Sequence, residues 1–204
     1  MGTTADKLNR LINTKEGIRQ EINRAYETEE ISNSDTFNSY IQKLEEHPFY
    51  IMRFIERSIE NIKLSNATSI GYSAFSNCSS LTSVAFPNAT DIGYSAFQYC
   101  RSLTSVSIPN ATSISQYAFH NCSSLTSVAF PNAIRIGDNA FDSCSSLTTI
   151  YVGTNTSTVC TLSNTNAFNN CTKLANIYVP ASLVDSYKSA TNWSNYADKI
   201  KAAP

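Results

Sequence analysis

Cysteine is the residue that first asks for a chemical reading. The chain has six, and Cys78, Cys100, Cys122 and Cys144 stand 22 residues apart. A thiol can ligate zinc, attack as a nucleophile or close a disulfide. Zinc needs four nitrogen or sulfur ligands, ordinarily supplied by C-x-x-C or H-x-x-x-H pairs. Neither pair occurs, and the only imidazoles are His47 and His120. A nucleophile needs a base, and His120 precedes Cys122 closely enough to suggest a dyad. The corresponding positions in the other copies, however, hold Ser76, Gln98, Asp142 and Asn169, which reads as an outward, unconstrained site. Gly71-Tyr72-Ser73 and Gly93-Tyr94-Ser95 open like a nucleophile elbow but lack its second glycine. The carboxylates of the repeats are Asp91, Asp138 and Asp142, without a second acid placed nearby, and no phosphate-binding glycine loop is present. The expectation is a chain without catalytic, metal or cofactor chemistry.

The elements that would carry these residues come from a repeat. Phe75, Phe97, Phe119 and Phe141 share the 22-residue spacing, as do Leu81, Leu103, Leu125 and Leu147. The unit reads A-F-x-x-C-x-S-L-T-S-V-x-[FI]-P-N-A-x-x-I-[GS]-x-x, and a fifth copy begins at Ala167-Phe168, 27 residues after the fourth. The five extra residues fall within a polar loop at 153–166, which also holds the off-register Cys160. Within each unit, Leu81-x-x-Val84-x-Phe86 and its equivalents predict a short strand, with alternate side chains directed inward. Counting back to Ile59/Ile62/Leu64 gives six strands, stacked because one unit cannot bury its own apolar face. An active site occurs once, whereas the periodic cysteines recur on every coil. They therefore read as reduced, buried packing residues, although neighbouring rungs would lie close enough for a disulfide. Cys160 is the better candidate for a reactive thiol.

This pattern resembles the BspA-like family of leucine-rich repeats over residues 59–180. The resemblance implies a curved solenoid, a binding or adhesive role common at bacterial surfaces, and no catalysis. The expected fold is an α+β repeat: a six-strand leucine-rich solenoid, preceded by a small helical module and closed by a helical cap.

Charge divides the chain. Residues 1–60 hold 19 of the 31 charged side chains, residues 61–180 hold 7 and residues 181–204 hold 5. The expected domains are an attachment module at 1–46, a capping segment at 47–58, the solenoid at 59–180 and a C-terminal cap at 181–204. Helices are predicted near 5–12, over 15–27 and from Ser34, with a short capping helix at Pro48–Arg57. A capping box at Ser182–Asp185 is expected to open one C-terminal helix. A second, over 194–201, would turn Trp193, Tyr196 and Ile200 inward. Asn13-Thr14-Lys15-x-x-Ile18-x-x-x-Ile22, followed by Asp35-Thr36-Phe37-x-x-Tyr40, resembles helical modules of bacteriophage structural proteins.

Net charge is −1, so no global field favours nucleic acid or an acidic membrane. The sequence shows no apolar run for a signal peptide or a membrane span. Binding is the remaining role. The outward strand positions are Asn61/Lys63, Ser83/Ala85, Ser105/Ser107, Ser127/Ala129, Thr149/Tyr151 and Asn176/Tyr178. Candidate ligand contacts are Tyr151, Tyr178, Asn176, Thr149, Ser105, Ser107 and Ser127, with the two tyrosines foremost because binding energy concentrates in Trp, Tyr and Arg. Tyr72, Tyr94, Tyr99 and Tyr117 lie on the turn side, either as a second aromatic surface or as shields over the phenylalanine column. The reading is a phage virion fibre or decoration protein, made in a cytoplasm, that engages a cell-surface protein or glycan. Residues 1–46 would contact other virion proteins, and a homo-oligomer is compatible with this role. The alternative is a bacterial surface adhesin or host-interaction protein.

Overall fold

Each repeat makes one coil in which two short strands alternate with tight turns. The computed structural model describes residues 60–204. The expected modules at 1–46 and 47–58, with their helices, lie outside the described residues. The principal strands are β1 (Asn61–Lys63), β3 (Ser83–Ala85), β5 (Ser105–Ser107), β7 (Ser127–Phe130), β9 (Thr149–Val152) and β11 (Asn176–Val179). They are the six strands that the L-x-x-V-x-F pattern predicts, paired parallel in register within two runs, β1-β3-β5 and β7-β9-β11, with β5 beside β7 but not hydrogen-bonded to it; Val84, for example, lies against Ile62 and Val106.

A second sheet was not anticipated. An isoleucine late in the unit, replaced by Leu162 in the last, anchors the two-residue strands β2 (Ser69–Ile70), β4 (Asp91–Ile92), β6 (Ser113–Ile114), β8 (Arg135–Ile136) and β10 (Thr161–Leu162). These pair parallel in the order β10-β8-β6-β4-β2. Alternation over two residues is too short to announce a strand, but the second residue of each pair, isoleucine or Leu162, is buried against the core.

Between the sheets the turns sit on either side of the phenylalanine. Ser73, Ser95, Tyr117 and Asn139 have positive φ two residues before it, and Asn77, Tyr99, Asn121, Ser143 and Asn170 two residues after it. Asparagine tolerates this left-handed backbone better than most residues, which accounts for its frequency here. The core is a set of columns: Phe75, Phe97, Phe119, Phe141 and Phe168 stack at centroid separations of 5.4, 5.2, 5.3 and 5.5 Å, with planes within 12° of parallel. Beside them run columns of leucine and cysteine, all buried.

The C-terminal cap departs from expectation. After Pro180 the chain makes a 3-10 turn at Ala181–Leu183 and then the six-residue helix α1 (Val184–Ser189), without a side-chain cap. The expected capping box is therefore not formed. The second predicted helix is replaced by a 3-10 turn at Trp193–Tyr196 and a seventh strand, β12 (Ile200–Ala202). Ile200 pairs with Ile177, so the chain satisfies the open edge of β11 with another strand rather than covering it with a helix. Trp193 and Ile200 are buried as expected and Tyr196 is half-buried; Trp193 and Tyr196 close the phenylalanine column at Phe168, 6.1 and 5.4 Å away by ring centroid.

Candidate binding surfaces

The cysteine column proves to be a hydrogen-bonding element. The thiols of Cys100, Cys122, Cys144 and Cys171 donate to the carbonyls of Phe75, Phe97, Phe119 and Phe141 on the preceding coil, at 3.0–3.1 Å. Each rung thus packs as a small hydrophobe and satisfies a buried acceptor. No disulfide joins the rungs. Burial pushes the thiols of Cys100, Cys122 and Cys144 well above the ordinary 9.0, reinforced at Cys100 and Cys144 by neighbouring thiols. A thiolate is the reactive form, so burial works against reaction at these groups.

Cys160 does not fit the expectation of a reactive thiol either. It is fully buried, and desolvation raises its pKa to about 12. Its backbone N–H donates to the Tyr187 hydroxyl at 2.8 Å, and its carbonyl accepts from Trp193 Nε1 at 2.6 Å. Tyr187 and Trp193 meet edge to face at 5.2 Å. The off-register cysteine is thus where the insertion is pinned to the C-terminal cap. The insertion does not abolish the second sheet, since Thr161–Leu162 still pairs with Arg135–Ile136.

His120 is neither outward nor unconstrained. Its side chain retains 15% exposure and lies edge-on to Tyr99 and Tyr117 at 5.4 and 5.6 Å. Nδ1 is 3.2 Å from Asp142 Oδ2 but lacks the alignment of a hydrogen bond. Asp142 accepts from Ser143 Oγ and Asn170 Nδ2, each at 3.1 Å, and from Asn139 Nδ2 at 3.4 Å. The acid ties together the turns of adjacent coils, and Cys122 is engaged with Phe97, so no dyad forms. Among the described residues no group of three or more His, Cys, Asp or Glu is placed to hold a metal ion.

On the strand face, the register aligns Ala129, Tyr151, Tyr178 and Lys201 in one row, and Ser127, Thr149 and Asn176 in the next. Tyr151 and Tyr178 stack at 4.9 Å and are half-buried. Lys201 Nζ donates to Asn176 Oδ1 at 2.5 Å, crossing from one row to the other. Ser105, Ser107, Ser127 and Ala129 are exposed on β5 and β7, forming a low floor beside this ridge. Lys201 was not among the expected contacts because its segment reads as helix. The signal available was the apolar pair Ile177 and Ile200, each followed by an outward residue.

Of the turn-side tyrosines, Tyr72 and Tyr94 are exposed, whereas Tyr99 and Tyr117 are half-buried beside His120. Tyr72, 75% exposed, stacks on Tyr94 at 5.1 Å with planes 3° apart, and Tyr117 meets Tyr94 edge-on at 5.7 Å. The phenylalanine column packs on its other side against Phe86 and Phe130. By register, Tyr72, Tyr94, Gln116 and Asp138 occupy one column, and Asp91, Ser113 and Arg135 another. Between them lies a groove of about 450 Å³, lined also by Ser115, Gly137 and Ser163.

A family model described as "BspA type Leucine rich repeat region" matches in six copies, over residues 12–89, 50–163 and 90–200. Among solved structures, a leucine-rich repeat protein of T. pallidum is 26% identical with a TM-score of 0.54, over 61% of this chain and 60% of that one. A leucine-rich repeat protein of Bacteroides ovatus is 28% identical with a TM-score of 0.57, over 71% of this chain and 36% of that one. A leucine rich cell surface protein of Faecalibacterium prausnitzii is 29% identical with a TM-score of 0.45, over 61% and 40%. This chain therefore spans 36–60% of the length of these structures. Curated proteins gave no match. With a strand at each predicted position, the columns in register and the family model matched across the coils, the chain belongs to the BspA-type leucine-rich repeat family.

Proposed function

We propose that this chain is a non-enzymatic recognition scaffold that docks a protein on a cell surface against its strand face. The observation that carries this reading is the stacked Tyr151–Tyr178 pair, the one place where large side chains interrupt the otherwise small or polar rows of that face. Tyrosine supplies broad amphipathic contact area at low conformational cost, and a stacked pair holds its rings in place before a partner arrives. Lys201 and Asn176 add a charge and an amide at the margin. The serine and alanine floor of β5 and β7 leaves room for a partner's main chain to come close.

The like fold of bacterial leucine-rich repeat proteins favours a bacterial setting. The second reading, a phage fibre or decoration protein, rests on the likeness of residues 13–40 to phage structural modules. That segment lies outside the described residues, and no comparison speaks for it. Both readings are tested by adding fluorescently labelled full chain to intact bacterial and epithelial cells. Saturable, protease-sensitive binding that falls at least about tenfold in Tyr151→Ala/Tyr178→Ala supports a protein partner on the strand face. Undiminished binding by the double variant refutes that assignment.

A further inference from the structure

In this protein, polar side chains at repeat positions ordinarily reach across to the next coil. Asn88, Asn110 and Asn132 donate to the carbonyls of Ser65, Pro87 and Pro109, and Thr82, Thr104 and Thr148 bond carbonyls one coil back. The groove beside the second sheet is different. Arg135, Asp138, Gln116 and Ser113 line it, yet none of these side chains makes a hydrogen bond or ion pair to another described residue. Arg135 and Asp138 carry opposite charges within one groove of about 450 Å³ and still do not pair. Both also break their columns: Arg135 stands in register with Ser113 and Asp91, and Asp138 follows Tyr72, Tyr94 and Gln116 at the 22-residue spacing. Repetition alone does not account for a guanidinium and a carboxylate here.

We infer that this groove is a second binding site, for an acidic oligosaccharide whose carboxylate pairs with Arg135 and whose hydroxyls bond Asp138 and Gln116. A planar guanidinium fork matches a carboxylate bidentately, whereas a carboxylate and an amide side chain suit the vicinal hydroxyls of a sugar. A protein partner would want apolar anchor pockets, and Tyr94 is the sole large apolar side chain in the lining. The groove runs across coils that advance by about 4.8 Å each, similar to the advance per residue of an extended glycan. Successive sugars would therefore meet successive rungs, from Tyr94 past Gln116 to Arg135 and Asp138, with Ser163 beyond them.

The test is titration calorimetry of the full chain with 3′-sialyllactose and with trigalacturonate, using lactose as the neutral control. At least one acidic glycan is expected to bind saturably, with lactose weaker by about tenfold or more. Arg135→Gln should weaken binding about ten- to a hundredfold, the range of a hydrogen-bonded charge. Asp138→Asn should weaken it less, and Tyr151→Ala/Tyr178→Ala should leave it unchanged, which separates this site from the strand face. Arg135 is exposed and Asp138 forms no side-chain bond, so both variants should keep the native unfolding midpoint. Absence of binding by both acidic glycans, equal binding of lactose, or an unchanged affinity in Arg135→Gln would overturn the inference. Tighter binding of a glutamate-rich peptide than of either glycan would also overturn it, by assigning the groove to a protein.

Discussion

Replacing Phe119 tests whether the solenoid is held by rung-to-rung packing. Phe119 is fully buried, stacked on Phe97 at 5.2 Å and Phe141 at 5.3 Å, and tilted against Phe130 at 5.8 Å. A stacked pair contributes about 0.5–1.5 kcal/mol beyond burial. Phe119→Leu keeps most of the volume but loses both stacks, so its expected cost is about 2–4 kcal/mol with imperfect repacking included. Phe119→Ala adds a cavity and should reach the upper end of the usual range, about 5 kcal/mol. The sharper measurement is a double-mutant cycle read by urea unfolding of the full chain. Phe97→Leu with Phe119→Leu should show a coupling of about 0.5–1.5 kcal/mol, because the rings touch. Phe75→Leu with Phe119→Leu, two rungs apart, should be additive within about 0.5 kcal/mol. Equal coupling in the two pairs, or none in the adjacent pair, would refute nearest-neighbour packing as the source of stability.

Stability should also decline at alkaline pH. Cys100, Cys122, Cys144 and Cys160 all have folded pKa values raised above an ordinary 9.0, so their contribution is complete below pH 9 and is lost as pH rises toward the folded values. Each thiol then removes about 1.4 kcal/mol per pH unit, and unfolding midpoints measured from pH 7 to 11 should hold and then fall steeply; a flat profile would contradict the burial. Tyr187, raised to about 12 by burial, adds a loss of the same sign above pH 10. Tyr187→Phe orphans the buried Cys160 N–H and should cost about 1–3 kcal/mol in urea unfolding. Gly153→Ala should cost about 1–2 kcal/mol in the same assay, since φ is +57° and the added Cβ would lie 2.9 Å from Tyr187 Oη and Thr156 Oγ1.

The principal strands could be read directly because the L-x-x-V-x-F pattern of Leu81, Val84 and Phe86 repeats at fixed spacing, and each repetition checks the others. The second sheet escaped because two residues such as Asp91–Ile92 carry no alternation; only the recurrence of one isoleucine marks them. The cap was misread for a different reason. Trp193, Tyr196 and Ile200 suit a helical stripe, but Ile200 gains more by completing the row begun at Ile177, so tertiary pairing overrode local pattern. At the surfaces, Tyr151 and Tyr178 were visible as breaks in a polar row. Lys201 was hidden by the helix reading, and Arg135 by the unrecognised strand it sits on. His120 looked unconstrained because its column varies, yet this side chain is packed edge-on between Tyr99 and Tyr117 with Asp142 close by.

The claim that the repeating residues are architecture, and that function lies where the repeat breaks, can be tested most directly by thiol labelling of the native full chain. Rates are followed cysteine by cysteine with a maleimide and mass spectrometry at pH 7.5. All six cysteines should be protected, and those of the inner rungs, Cys100, Cys122 and Cys144, should label in step with global unfolding as urea is added. Labelling of Cys122 or Cys160 at the rate of an exposed thiol, with the fold intact, would contradict the account.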